Sequence, residues 1–247
     1  MMNASALITG GGIRIGRAIT TELVQAGYHV HVHVNRSADA ALELEAELRD
    51  QKLLKEGQRF VIHQADLSHE GGQEKLVGEV KEATPSLDVL VNNAALFERK
   101  DFDSISRADF KTMYAVNAEA PFFLTQGLLP LLRHPDSANV IFIGDITGDR
   151  PDPLMSHYCM TKAAIMNLTR SLAIELAPHI RVNGIAPGPV AFPEDYLSAE
   201  RNELLQRTPL GREGTTNDIA HAVHFFLQNN YITGQVVCID GGRSALQ

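Results

Sequence analysis

The chain reads Thr9-Gly10-Gly11-Gly12-Ile13-Arg14-Ile15-Gly16 between an apolar run at residues 4–9 and a segment of helical spacing at residues 14–26. Glycines let a backbone approach a pyrophosphate closely, and a helix N-terminus offers free N–H groups with a partial positive charge. Because this turn joins the first strand to the first helix of a βαβ unit, it predicts a dinucleotide site. A tight turn without a ligand is the alternative.

Short apolar runs alternate with amphipathic segments along the rest of the chain. Further strands are predicted at residues 28–34, 59–64, 87–91, 138–143, 181–186 and 235–239. Further helices are predicted at residues 38–51, 70–82, 107–133, 156–177 and 215–228. Regular strand–helix alternation is typical of a parallel sheet with helices on both faces. We therefore expect residues 1–247 to form one α/β domain, a Rossmann-type doubly wound sheet of about seven strands.

The segment 189–212 is the least regular part of the chain. It carries prolines at positions 189, 193 and 209 together with several acidic residues. Segments of this composition form loops on the protein surface. We expect a mobile loop with a short helix, placed against the substrate.

The composition excludes several classes of function. There are 22 Lys and Arg against 30 Asp and Glu, a net charge of -8 that argues against general binding to nucleic acid or to an anionic membrane. The two cysteines cannot form a disulfide framework, which favours a reducing compartment. Residues 1–5 lack the features of a secretion signal, and no apolar run approaches the roughly 20 residues of a membrane helix. We expect a cytoplasmic protein.

The end of the second predicted strand indicates which dinucleotide is bound. An acidic residue there would bind the ribose hydroxyls of NAD, but this chain has Asn35, Arg36 and Ser37. An arginine can accommodate a 2′-phosphate, which favours NADPH over a solvated loop charge. Asp66 and Leu67 follow the third strand, where they could lie against the adenine or form a surface turn.

Tyr158 and Lys162 are four residues apart, so they lie on one face of a predicted helix. An ammonium near a phenol favours the tyrosinate form and lowers the tyrosine pKa. Such a tyrosine can donate a proton while a reduced nicotinamide gives a hydride.

Several motifs together resemble the short-chain dehydrogenase/reductase family, from Leu7 to Asp240-Gly241-Gly242. They are the glycine turn, Asn92-Asn93-Ala94-Ala95, Asn117, the Tyr158/Lys162 pair and Pro187-Gly188. The resemblance implies that Tyr158 is the acid/base, that Lys162 holds the nicotinamide ribose, that Asn117 supports a proton-relay water, and that the protein is a homotetramer. It also implies cofactor contacts by Gly10, Arg14, Ile15, Gly16, Asn35, Arg36, Ser37, Asp66, Leu67, Asn93, Ala94, Ala95, Tyr158, Lys162, Pro187, Gly188 and Val190.

Two departures from the common family pattern resemble the pteridine reductases and dihydromonapterin reductases. Arg14 replaces a glycine, and Asp145 replaces a serine thirteen residues before Tyr158. Residues 33–37 and Phe97 also match that subfamily, whereas Ala95 stands where it often has a serine. The resemblance implies that Arg14 contacts cofactor phosphate and pterin, that Phe97 stacks the pterin, and that Asp145 and Tyr158 deliver the proton.

The chemistry of Asp145 independently favours reduction of a C=N bond. A carboxylate beside a forming alkoxide would raise the barrier to ketone reduction, because like charges repel. A C=N bond gains its proton on nitrogen, so no oxyanion forms. We expect an NADPH-dependent reduction of a dihydropterin to a tetrahydropterin. A ketone or 3-oxoacyl reductase and a non-catalytic NADP-binding sensor or scaffold are the alternatives.

Some candidate residues also have ordinary structural explanations. Phe97 could belong to the core, and Asp145 could cap a turn. His29, His31 and His33 alternate along one face of a strand, but without a carboxylate or thiolate cluster they favour packing over a metal site.

Overall fold

The computed structural model describes residues 4–192 and 198–246, which form one seven-stranded parallel sheet in the order β3-β2-β1-β4-β5-β6-β7. The strands are β1 (Ser5–Thr9), β2 (His29–Val34), β3 (Phe60–Gln64), β4 (Val89–Asn92), β5 (Ala138–Ile143), β6 (Ile180–Pro187) and β7 (Val236–Ile239). The helices are α1 (Arg14–Gln25), α2 (Ala38–Asp50), α3 (Glu70–Ala83), α4 (Arg107–Tyr114), α5 (Ala120–Leu132), α6 (Ser156–Glu175), α7 (Ser198–Gln206) and α8 (Thr216–Gln228). The predicted doubly wound α/β fold is confirmed.

Apolar side chains bury both faces of the sheet. Successive strand residues point to opposite faces, so Ile8 of β1 packs in the layer of α1, α2 and α8, whereas Leu7 packs in the layer of α3, α5 and α6. Both residues are fully buried. Burial on two faces explains why the strands read as continuous apolar runs.

The predicted helix at residues 107–133 is interrupted. A π-helical turn, Ala115–Glu119, separates α4 from α5 and contains Asn117. Pro121 lies two residues after this turn and has no N–H to donate to the carbonyl of Asn117, so the α-helical bond cannot form there. The other predicted elements differ from the observed bounds by at most two residues.

The predicted loop at residues 189–212 contains a short helix, α7, as expected. Its first part is anchored where Val190 bridges Gly214. Residues 193–197, including Pro193, lie outside the described residues, so mobility of this loop stays a prediction. Among the described residues, no helix is both long and apolar enough to cross a membrane.

Candidate active site

A cleft of about 760 Å³ opens at the carboxyl ends of the strands. It lies where the strand order reverses between β1 and β4, the usual ligand position in doubly wound sheets. It brings together all but one of the predicted site residues. These are Gly10, Arg14, Ile15, Gly16, Asn35, Arg36, Ser37, Asp66, Leu67, Asn93, Ala94, Ala95, Phe97, Asp145, Tyr158, Lys162, Pro187, Gly188 and Val190.

The glycine turn fits closely over the start of α1. A Cβ atom on Gly16 would lie 1.9 Å from the carbonyl oxygen of Gly10, so only glycine can occupy position 16. Gly10 has a φ of +63°, in the left-handed region that favours glycine. Arg14 has a φ of +50°, and its guanidinium donates to the carbonyl of Ala191, the residue after Val190. The positive charge of Arg14 therefore lines the cleft.

Hydrogen bonds join the turn to the end of β4. The Thr9 hydroxyl oxygen accepts from the N–H groups of Asn93 and Ala94, each at 2.9 Å. The Asn93 side-chain amide donates to the carbonyl of Thr9 at 2.8 Å and to that of Gly10 at 3.1 Å. The floor of the cleft is therefore fixed by residues that sequence reasoning assigned to the cofactor.

The residues around this floor fit a phosphorylated dinucleotide. Ile13 occupies the N-cap of α1 and has no polar side-chain atom with which to cap it, so the N–H groups of the first turn are suited to an anion. Exposed Arg36 lines the cleft beside Ser37, the N-cap of α2. Hydrogen bonds from Ser68 lower the pKa of Asp66 and keep that carboxyl ionised.

Tyr158 and Asp145 form a direct hydrogen bond. The phenol O–H of Tyr158 donates to Oδ2 of Asp145 at 2.8 Å, and Oδ1 of Asp145 accepts from the N–H of Thr147 at 2.8 Å. Asp145 therefore caps the 3₁₀ turn Ile146–Gly148 and binds the tyrosine at the same time. Its two predicted roles, capping a turn and acting beside the tyrosine, are compatible.

The predicted lowering of the Tyr158 pKa by Lys162 is wrong for this structure. Burial and the neighbouring Asp145 raise the pKa of Tyr158 well above its usual value, and Arg14 opposes this shift. The Lys162 ammonium lies 5.6 Å from the centre of the Tyr158 ring and donates to the carbonyl of Ile143 at 2.9 Å. Burial lowers the pKa of Lys162 to about 8. Tyr158 is therefore a neutral phenol near pH 7, and its O–H donates a hydrogen bond to Asp145.

Phe97 stands at the mouth of the cleft and is not a core residue. Its side chain is 46% exposed, and its ring centre lies 5.1 Å from that of Tyr158 with an angle of 87° between the planes. A half-exposed ring beside the Tyr158 phenol can stack on a flat ligand.

Asn117 is the one predicted site residue that, among the residues the structure describes, does not line the cleft. Its side chain accepts from the N–H of Leu96 at 2.7 Å and donates to the Leu96 carbonyl at 2.9 Å. The π-helical turn thus holds the backbone directly before Phe97. The implied role of Asn117 in a proton relay stays a prediction.

Sequence reasoning missed several residues of the lining, among them His33 and Arg243. Arg243 forms an ion pair with Asp152 at 3.3 Å, and nothing in the sequence links these distant positions. The strand alternation predicts His33 at the end of β2, but it favours packing there and does not indicate that the ring lines the cleft.

The predicted histidine face of β2 forms hydrogen bonds within the sheet. The Nδ1 atom of His29 accepts from the Arg59 N–H at 2.9 Å, and His31 is hydrogen-bonded to His63 at 3.0 Å. Within residues 4–192 and 198–246, no three His, Cys, Asp or Glu side chains are grouped to hold a metal ion.

Comparison with known proteins identifies one protein family that matches this chain. The model of the family described as short chain dehydrogenase matches residues 4–200. A tropinone reductase homologue of Arabidopsis thaliana is 38% identical over 97% of this chain and 75% of its own length. The 3-oxoacyl-[acyl-carrier-protein] reductase FabG of Staphylococcus epidermidis is 32% identical over 98% of this chain and 99% of its own.

A solved structure is similar over the whole domain. FolM alternative dihydrofolate reductase 1 from Brucella suis in complex with NADP has a TM-score of 0.89 at 32% identity, covering 99% of this chain and 96% of that chain. The similar proteins thus carry names of different reductases, and the substrate must be argued from the site itself.

Proposed function

Because the chain belongs to the short-chain dehydrogenase/reductase family, we propose that it is an NADPH-dependent reductase of a dihydropterin. The family makes it an oxidoreductase with a Rossmann-type domain. The choice of cofactor and substrate depends on the residues of the cleft. The observation that carries the proposal is the 2.8 Å hydrogen bond from Tyr158 to a carboxylate, Asp145.

Arg36 and Ser37 support NADP(H) as the cofactor. They stand where an NAD site has an acidic residue, and both line the cleft. The solved structure from Brucella suis was determined with NADP. When bound, NADPH supplies the hydride. The residues of this chain supply the binding site and the proton.

The Tyr158–Asp145 pair supports a C=N bond as the group reduced. An alkoxide forming at Tyr158 would lie close to the carboxylate of Asp145, and the two negative charges would repel each other. A ring nitrogen that takes up a proton develops no negative charge and can hydrogen-bond to the same carboxylate. Phe97 offers a ring for stacking, and Arg14 offers donors to a polar heterocycle.

The proton transfer in this proposal is balanced. The substrate carbon gains a hydride, the adjacent nitrogen gains the phenol proton of Tyr158, and solvent restores that proton to Tyr158 after product release. The Lys162 ammonium and the Arg14 guanidinium limit the negative charge that remains on the pair.

Substitutions of Asp145 test the proposal against the ketone reductase alternative. NADPH oxidation is measured with dihydrobiopterin, dihydromonapterin and a panel of ketones and 3-oxoacyl thioesters. Asp145→Asn keeps the shape but cannot carry the proton, so kcat on the dihydropterin should fall by about 10²–10⁴. Asp145→Ser should lower pterin reduction while ketone reduction holds or rises.

A matched control is Asp149→Asn, an exposed carboxylate directly after the same 3₁₀ turn. It should leave both activities unchanged. Pterin turnover by Asp145→Asn within a few-fold of wild type would refute the role of Asp145. Faster reduction of ketones than of pterins by the wild type would support the alternative, and no oxidation with any substrate would support a sensor or scaffold.

We also propose that the protein is a cytoplasmic homotetramer. The support is the family resemblance together with large apolar side chains that are exposed on α4 and α5. They are Phe110, Tyr114, Phe122 and Phe123. Exposed groups of this kind mark protein–protein contacts, and light scattering after gel filtration measures the assembly directly.

A further inference from the structure

His33 is a cleft residue to which the proposed chemistry gives no role. Its ring is buried, and it lies at the carboxyl end of β2 on the side of the sheet that carries His31 and His63. Besides the hydrogen bonds of the sheet ladder, it makes three, two of them to the glycine turn. The Gly10 N–H donates to its Nδ1 at 3.2 Å, and the Gly11 N–H donates to its main-chain carbonyl at 3.0 Å.

The third hydrogen bond connects His33 to the end of β3. Its Nε2 lies 3.1 Å from the carbonyl oxygen of Ala65, the residue before Asp66. A backbone N–H can only donate and a carbonyl can only accept, so Nδ1 is the bare nitrogen and Nε2 carries the proton. Burial lowers the pKa of His33 to about 4, which keeps the ring in this neutral form near pH 7.

One imidazole therefore connects two separate parts of the dinucleotide cleft. On one side it holds Gly10, whose φ of +63° starts the turn over α1. On the other side it holds the backbone that leads into Asp66 and Leu67. An apolar side chain of similar size would fill the space but would leave the partly buried N–H of Gly10 and the buried carbonyl of Ala65 without this partner.

We propose that His33 is a positioning residue that sets the distance between the phosphate-binding turn and the adenine side of the cofactor cleft. This role of His33 rests on the proposed dinucleotide cofactor and is independent of the proposed pterin substrate. His33 acts through the backbone at Gly10 and Ala65, so its loss should weaken the binding of the adenosine half of NADPH. The chemical step, which takes place at Tyr158, should change little.

Three substitutions separate the effects of the two side-chain hydrogen bonds of His33, the one to Gly10 and the one to Ala65. His33→Leu removes both. His33→Asn places an amide oxygen near the position of Nδ1 and can accept from Gly10, while His33→Gln places an amide nitrogen near the position of Nε2 and can donate to Ala65. His31→Asn is the matched control, because His31 is equally buried on the same strand face but pairs with His63. His31 is not among the described residues that line the cleft.

The experiment measures the Kd for NADPH and for adenosine 2′,5′-bisphosphate without substrate, the melting temperature of the apo-protein, and kcat with dihydropterin at saturating NADPH. For His33→Leu we expect both Kd values to rise by about tenfold or more, with kcat within about twofold of wild type. His33→Asn and His33→Gln should each recover part of the affinity. His31→Asn should lower the melting temperature and leave both Kd values unchanged.

Both Kd values of His33→Leu within about twofold of wild type would overturn the proposal. Equal losses of affinity in His31→Asn would also overturn it, since they would show a general loss of structure. If His33→Leu does not fold, the Kd values of His33→Asn and His33→Gln are compared with those of His31→Asn at equal melting temperature. Weaker binding in the two His33 variants then supports the proposal, and equal binding overturns it. Failure of the pterin assay leaves these binding measurements valid, so the two proposals fail separately.

Discussion

Acid should destabilise the folded protein through the buried ring of His31. Burial, together with the neighbouring His63, lowers the pKa of His31 from 6.5 to about 4. The unfolded chain binds a proton at this group below about pH 6.5, whereas the folded chain does not until about pH 4. The free energy of unfolding should therefore fall as the pH drops through this window and level off below it, while above pH 6.5 the group has no effect.

The size of this effect follows from the pKa difference. A difference of about 2.5 pH units corresponds to about 3 kcal/mol once both states are protonated. Between pH 7 and about pH 4.5, the loss should be about 2 kcal/mol. His31→Asn removes the titrating group but keeps an amide that can hydrogen-bond to His63. This variant should be less stable than wild type at pH 7. Between pH 7 and about pH 4.5, its free energy of unfolding should fall by about 2 kcal/mol less than that of wild type.

Urea denaturation followed by circular dichroism, at several pH values from 7 to 4.5, measures the difference. The decisive quantity is the slope of the free energy of unfolding against pH. A packing defect lowers this free energy at every pH and leaves the slope unchanged. His179→Asn, at an exposed histidine, serves as the control and should run parallel to wild type. Parallel curves for His31→Asn and wild type would refute a neutral buried imidazole at this position.

Two further predictions concern ligands of the cleft. Arg36→Ala should weaken NADPH binding by about ten- to hundredfold, because a charge-assisted contact to the 2′-phosphate is lost, and should leave NADH binding nearly unchanged. Titration with both nucleotides measures this, and equal losses would give Arg36 a structural role. Phe97→Ala should lower kcat/KM for the dihydropterin, at a cost of about 0.5–1.5 kcal/mol beyond lost contact area, while NADPH still binds. Steady-state kinetics measure this effect, and unchanged kcat/KM with a lower melting temperature would return Phe97 to a packing role.

The fold could be predicted because its causes are local. Strands buried on both faces produce apolar runs, such as the one around Val140 in β5. The helices between the strands carry an apolar stripe toward the sheet. The glycine turn was also predictable, because its close contacts require glycine at positions such as Gly16. The cleft residues then follow from the strand order, since the carboxyl ends of parallel strands lie at one edge.

The remaining features depend on contacts between distant parts of the chain. The pKa of Tyr158 depends on its burial and on the distance to Asp145, and spacing along a helix reports neither. The π-helical turn at Asn117 needs a backbone conformation that the apolar pattern of the segment does not encode. His33 was identified on the correct face of β2, but only the structure shows that its ring meets Gly10 and Ala65.

The strand order has a consequence for how the chain folds while it is synthesised on the ribosome. The glycine turn is synthesised before the other parts of the cleft, because the cleft needs β4 beside β1 and its lining extends to Pro187 and Arg243. A ligand stabilises only the state that binds it. NADPH therefore cannot bind a complete cleft on the nascent chain until Arg243 has been synthesised. A truncated product that ends before β6 would keep the turn and gain no protection from the nucleotide, which leaves it open to cellular proteases.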